Sequence, residues 1–311
     1  MNVTEAVAAQ GLVSRSEGPI KSLLSWKVLL LVILTAAVYY DVLLRLVDQW
    51  SNDPNFSHGF IVPLFSAFIV WTKRNELIAI PVKPSSWGLL AVIGSLALVI
   101  VGSLGADLFI ARISLVFLIA GMIVYLLGWQ HFKALVFPWL FLFLMIPIPA
   151  IIFAQLTLPL QTLAARLAAA ALQIVGIPVF REGNVIALPA MPLEVAEACS
   201  GIRSLLSLGT LAIIYGFFLE ERLTPRILIA LASIPIAVLA NGFRIFGTGV
   251  LVQYWDAQKA LGFFHEFSGW LVFVVSMALL FLTHKIFKLT SRMLAQRSAQ
   301  SKVASCPGFG L

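Results

Sequence analysis

A chain of 311 residues that is 60% hydrophobic and 11% charged is not a soluble domain, which carries about 25% charged residues. Its net charge of +7 lies in short basic clusters beside apolar runs, so it reads as membrane topology rather than nucleic-acid affinity. Two cysteines, Cys199 and Cys306, are too few for a disulfide framework, and four scattered histidines without a Cys-x-x-Cys pair lack metal-ligand spacing. No cofactor and no metal are expected.

Residues 1–25 are polar and weakly basic and read as a cytoplasmic N-terminus. The apolar run from Trp26 to about Leu46 is too long for a signal-peptide core, and more apolar runs follow it, so it reads as an uncleaved first crossing. A crossing needs about 20 apolar residues. On that measure further crossings are expected at 56–72 (with limits softened by Pro63), 87–104, 108–127, 132–151, 201–219, 225–243 and 267–287. The pair 87–104 and 108–127 leaves almost no loop and should form an antiparallel hairpin.

Residues 152–178 are apolar but carry Gln155, Gln161, Arg166 and Gln173, with Pro159 near the start. An arginine at mid-span is costly, so the segment is expected to lie in the outer interface, with a ninth crossing as the rival. Charge favours eight. With the N-terminus inside, Arg15, Lys21, Lys27, Lys73, Arg74, Lys83, Lys133, Arg222, Arg226, Lys285, Lys288, Arg292, Arg297 and Lys302 stay inside, while Arg45, Arg112, Arg166, Arg181, Arg203, Arg244 and Lys259 are left outside. A ninth crossing would export the basic C-terminus.

Between 178 and 198 the texture changes. Two β-prone runs flank Glu182-Gly183-Asn184, a turn signal, and Leu193-Glu194-Val195-Ala196-Glu197 alternates apolar and acidic. A small extracytoplasmic β-hairpin or three-strand cap before helix six is expected. The tail from Ala295 is polar and is expected to be disordered. The fold class is thus an all-α polytopic membrane protein of about eight transmembrane helices. It divides into residues 1–25, a transmembrane domain at 26–290 and a cytoplasmic tail at 291–311. No further soluble domain is expected after the last helix.

Three stretches stand at matching ends of the later crossings: Glu197-Ala-Cys199-Ser200-Gly-Ile-Arg203, Asn241-Gly-Phe-Arg244 and His265-Glu266-Phe-Ser-Gly-Trp270. Cys199 and Arg244 are separated by one inward and one outward crossing, and the chain from Arg244 to His265 has no need to cross. All three groups therefore fall on one face. Ser200 suits a helix N-cap, and the positive end of helix six then faces the thiol and favours thiolate. Asn241-Gly242 reads as the stop of helix seven. The Arg244 guanidinium suits an oxyanion or a carboxylate, and His265 suits general acid–base work. A cysteine–histidine pair is the usual minimum for thiol acyl transfer. Taken singly, each has a bland reading as an apolar helix cysteine, a snorkelling arginine or a surface histidine. Their agreement on one face carries the argument. Glu197 and Glu266 either orient His265 or sit at headgroup level. Arg203 lies one turn into helix six, His58 begins the second crossing at the same face, and Asn241 reads first as a cap. His131, His284 and Cys306 receive no role.

These motifs, with Ser57-His58-Gly-Phe-Ile-Val-Pro63, resemble the exosortase/archaeosortase family of membrane transpeptidases. The likeness runs from about 50 to 288 and is most specific from 183 to 270. It implies a membrane cysteine protease or transpeptidase linked to exopolysaccharide or envelope export. Its substrates would be exported proteins with a C-terminal sorting signal, a Pro-Glu-Pro-like (PEP-CTERM) motif followed by a helix and a basic tail, which pass to an acceptor. The resemblance further implies Cys199 as nucleophile, His265 as acid/base and Arg244 as stabiliser, on the extracytoplasmic face of a prokaryotic inner membrane. The rival classes are a polytopic transporter and a non-enzymatic subunit of an exopolysaccharide export system. Transporter ionisable groups tend to gather near the midplane, whereas these gather at one edge.

Overall fold

The computed structural model describes residues 26–105, 107–195, 201–255 and 263–304, with backbone alone at 26–28, 263–266, 294–295 and 297–304. Among these residues six helices are long and apolar enough to cross a bilayer, or seven if one bent pair counts as a single span. The protein is a polytopic all-α membrane protein with one small sheet. Its described residues fall into two compact units, one within 26–53 and 59–147 and the other within 54–58 and 148–304.

In the first unit, α1 (Trp26–Val38) and α2 (Tyr40–Asn52) replace the single crossing expected at 26–46. They bend by 69° at the break. The cause lies in α2, which buries Val42, Leu46 and Trp50 at a four-residue spacing while Asp41, Arg45 and Asp48 face outward. Such a two-faced helix suits an interface better than hydrocarbon. After a 3₁₀ turn, α3 (Ile61–Thr72) has 12 residues, a rise of roughly 18 Å against a hydrocarbon core of about 30 Å. The short α4 (Arg74–Ala79) follows.

The expected hairpin forms from α5 (Ser86–Leu104) and α6 (Leu108–Leu126). Asp107 caps α6 by accepting from the backbone N–H groups of Phe109 and Ile110. At Gly102 a Cβ would lie 2.7 Å from the backbone nitrogen of Ala111, so glycine is what lets the two backbones touch there. The crossing expected at 132–151 is broken. It becomes α7 (Trp129–Phe141), containing Pro138, and then a 3₁₀ turn at Leu142–Met145. Pro147 and Pro149 follow and deny further helix its N–H donors.

In the second unit, α8 (Ala150–Ile174) runs for 25 residues and qualifies as a span. By length and composition it meets the measure of the rival ninth crossing as well as that of the interfacial helix expected at 152–178. Ala164, Ala165, Ala168, Ala169 and Leu172 form its buried stripe, and Arg166 stays exposed on the other face. Small residues allow close helix contact, and a long arginine can carry its charge toward a headgroup. The sheet is as expected: β1 (Phe180–Glu182), β2 (Val185–Ala187) and β3 (Pro192–Glu194), antiparallel in that order. Ile186, Leu188, Leu193 and Val195 pack into one core with Leu172 of α8.

Three helices complete the unit: α9 (Ile202–Leu219), α10 (Leu223–Tyr254) and α11 (Phe263–Ala304). Gly242 and Gly249 of α10 meet Leu167 and Leu172 of α8 in the same order, so these two run parallel. Gly209 and Gly216 of α9 meet Ser233 and Arg226, so α9 runs antiparallel to α10. The polar tail expected from Ala295 is helical as far as Ala304, as the continuation of α11.

Candidate active site

Local chain geometry builds the site from α9 outward. Gly201 is the N-cap of α9 with φ of 80°, a left-handed conformation that costs an L-residue about 1–2 kcal/mol. A Cβ at this position would also lie 3.0 Å from Cβ of Asn241. Glycine is thus required twice, by backbone and by packing. The strand before it is anchored as well. Val195 donates its N–H to the Asn184 carbonyl at 3.0 Å, and Asn184 Nδ2 donates to the Val195 carbonyl at 3.2 Å.

Asn241 is 1% exposed and lies inside α10. Its expected role as a cap is corrected. Asn241-Gly242 does not end the helix, which continues to Tyr254 because Gly242 admits Leu167 and the neighbours supply the packing. One turn on, Arg244 donates from Nε to Ser268 Oγ of α11 at 3.1 Å, and a Cβ at Gly269 would sit 3.3 Å from Arg244 Nη2. Gly201, Asn241, Arg244, Ser268 and Gly269 thus share one level of the unit. The N-terminal ends of α9 and α11 both come here, and helix N-termini carry partial positive charge. The Arg244 guanidinium is the charged side chain placed at this level among the described residues.

The structure places the expected site residues unevenly. Cys199, Ser200 and Glu197 lie outside the described residues, as does Cys306. His265 and Glu266 are placed by backbone only, in the first turn of α11. His265 precedes Ser268 by three residues, a spacing that puts two positions on one helix face. Arg203 is exposed in the first turn of α9. Among the described residues, His58 is placed next to an aromatic pair. It lies against Phe56, whose ring is 5.6 Å from that of Phe153 in the first turn of α8. Phe153 precedes Leu167, the residue level with Gly242, by roughly 21 Å of helical rise. Ser268 was not singled out by the sequence reading. Its only sequence signal is that position one turn after His265.

At the far end of α9 a second polar group forms. Tyr215 Oη and His284 Nδ1 are 2.8 Å apart, His284 Nε2 and Glu220 Oε1 are 2.8 Å apart, and Lys288 Nζ donates to Glu220 Oε1 at 3.3 Å. Arg226 donates from Nε to the Glu220 carbonyl at 2.6 Å. The hydrogen bond from His284, with help from Lys288, holds the Glu220 carboxyl below its ordinary value of 4.5.

Family comparison decides the identity. The model of the transmembrane exosortase family matches residues 50–282. The chain belongs to the transmembrane exosortase family. Comparison with curated proteins and with solved structures gives no match. The matched stretch of this exosortase-family protein contains all three motifs, with Tyr215, Glu220 and Arg226 of the second polar group, while His284 and Lys288 lie just beyond it.

Proposed function

We propose that this exosortase-family protein is a membrane cysteine peptidase and transpeptidase with Cys199 as nucleophile, His265 as acid/base and Arg244 as the oxyanion donor. The supporting observation is the meeting of Gly201, Arg244 and Ser268 at one level. Cys199 is two residues from Gly201, a reach of at most about 7 Å, and His265 is one turn from Ser268. The Cys199 thiolate attacks the scissile carbonyl, and the tetrahedral oxyanion is held by Arg244 and the N-terminal end of α9. Collapse breaks the C–N bond, with the proton for the departing amine coming from His265. A thioester remains. His265 then takes a proton from the acceptor nucleophile, which displaces the thiolate and leaves the exported protein on the acceptor.

The substrates in this reading are membrane-anchored exported proteins with a PEP-CTERM-like sorting signal, processed in connection with exopolysaccharide or envelope export. The membrane is the prokaryotic inner membrane. Arg222, Arg226, Lys285 and Lys288 gather toward the Glu220 end of α9, which supports that end as cytoplasmic and the Gly201 end as extracytoplasmic. The test is processing of such a substrate in cells. Cys199→Ala should leave the full-length form in the membrane, and normal processing by that variant would remove the nucleophile assignment.

A further inference from the structure

Arg112 is the buried charge that the proposed chemistry does not use. It stands in the second turn of α6, and only 4% of it is exposed. Its Nη2 donates to the backbone carbonyl of Arg45 at 3.4 Å, a long contact. Its enclosed Nε has no hydrogen-bond partner. Among the described residues no carboxylate lies within ion-pair distance of it. A like charge acts on it, that of Arg45, whose backbone carbonyl it touches.

A guanidinium does not escape by losing its proton, and an ionised group buried without a partner is expensive. A second guanidinium beside it makes the position worse unless an anion joins both. Arg45 itself is exposed on the outer face of α2, and it forms no ion pair with Asp41 or Asp48 of the same helix. Asp48 instead accepts from Asn52 Nδ2 at 2.7 Å. The two-faced character of α2 and its sharp bend from α1 suit a helix lying at the boundary between water and hydrocarbon. Arg112 is within roughly 6 Å of the start of α6. The pair therefore stands at the depth of lipid phosphates, and planar guanidinium forks match phosphate oxygens.

We propose that Arg112 and Arg45 form a binding site for a phosphate-bearing anion, apart from the acyl-transfer site of the other unit. The source is either an anionic lipid headgroup or free phosphate. Full-length protein would be placed in nanodiscs of phosphatidylcholine with added phosphatidylglycerol. Retained lipid is read by native mass spectrometry, and thermal stability is read with and without inorganic phosphate. The wild type should retain phosphatidylglycerol over phosphatidylcholine and gain thermal stability from it. Arg112→Gln and Arg45→Gln should each cut retention by about tenfold, the weight of a lost charge-assisted hydrogen bond. Arg45 is exposed, so its variant keeps the fold and the test. Stabilisation by inorganic phosphate alone, lost in both variants, supports the site with free phosphate as the source. Equal retention of both lipids by all three proteins, with no phosphate effect, overturns it. So does an Arg112→Met variant that is more stable than wild type in both lipids, because the buried guanidinium would then be an uncompensated charge.

Discussion

The two ends of α9 use polar groups in opposite ways. At the Glu220 end, a tyrosine, a histidine, a carboxylate, a lysine and an arginine from three helices and one turn are joined by hydrogen bonds. At the Gly201 end, the described groups are glycines in close contact, a buried asparagine and a guanidinium aligned by a hydroxyl, where two helices begin. The first arrangement locks helices. In the proposed mechanism the second serves charge that develops during a reaction. Polar networks with their members hydrogen-bonded rigidify a fold, whereas donors aimed at developing charge serve catalysis. One helix of 18 residues links the two.

That contrast breaks if stability and activity do not separate between the ends. The largest effect is expected from Arg244→Lys. Loss of the planar fork should slow substrate processing by about 10²–10³-fold, the weight of one oxyanion donor, with the melting temperature little changed. At the other end His284→Ala should remove about 1–3 kcal/mol of stability by leaving Tyr215 and Glu220 short of a partner, readable by thermal unfolding. Turnover per folded molecule should stay at the wild-type level. Ser268→Ala should be milder. It removes one hydrogen bond to Arg244, about 1 kcal/mol or about fivefold in rate. Ser268→Thr should restore the rate, which a purely steric role would not allow. A loss equal to that of Arg244→Lys would show that Ser268 does more than align the guanidinium.

The smallest expected effect is on pH dependence. The folded Glu220 carboxyl sits below its ordinary value of 4.5, so its contribution to stability is complete above that pH and is lost as pH falls through the lowered folded value. Thermal unfolding below pH 4.5 should therefore weaken the wild type more than Glu220→Gln. Identical acid profiles would mean that the Glu220 carboxylate contributes nothing.

The contrast was only half legible in the sequence. The antiparallel hairpin, the three-strand cap and the convergence of Gly201, Arg244 and the start of α11 all follow from the spacing of apolar runs and turn residues. What failed did so for local reasons. A linear reading does not say which face Arg166 takes, and the alanine stripe from Ala164 to Ala169 is the signal for the buried face of α8. Asn241-Gly242 carries a stop signal that tertiary packing against Leu167 overrides. The break at Tyr39 is marked by the change to two-faced spacing in α2, which a hydropathy average smooths away. Tyr215 and His284, and Arg45 and Arg112, are each brought together by folding across 67 or more residues. No local pattern announces either pair, and His284 had been given no role.

The central claim is that the Gly201 end performs acyl transfer through Cys199. It is tested most directly by mixing purified protein with a peptide bearing a sorting signal, quenching in acid and mapping adducts by peptide mass spectrometry. The account expects a hydroxylamine-labile acyl adduct on the peptide containing Cys199, absent in Cys199→Ala. Substrate cleaved at the wild-type rate with no adduct at Cys199, or with cleavage retained by Cys199→Ala, would contradict it.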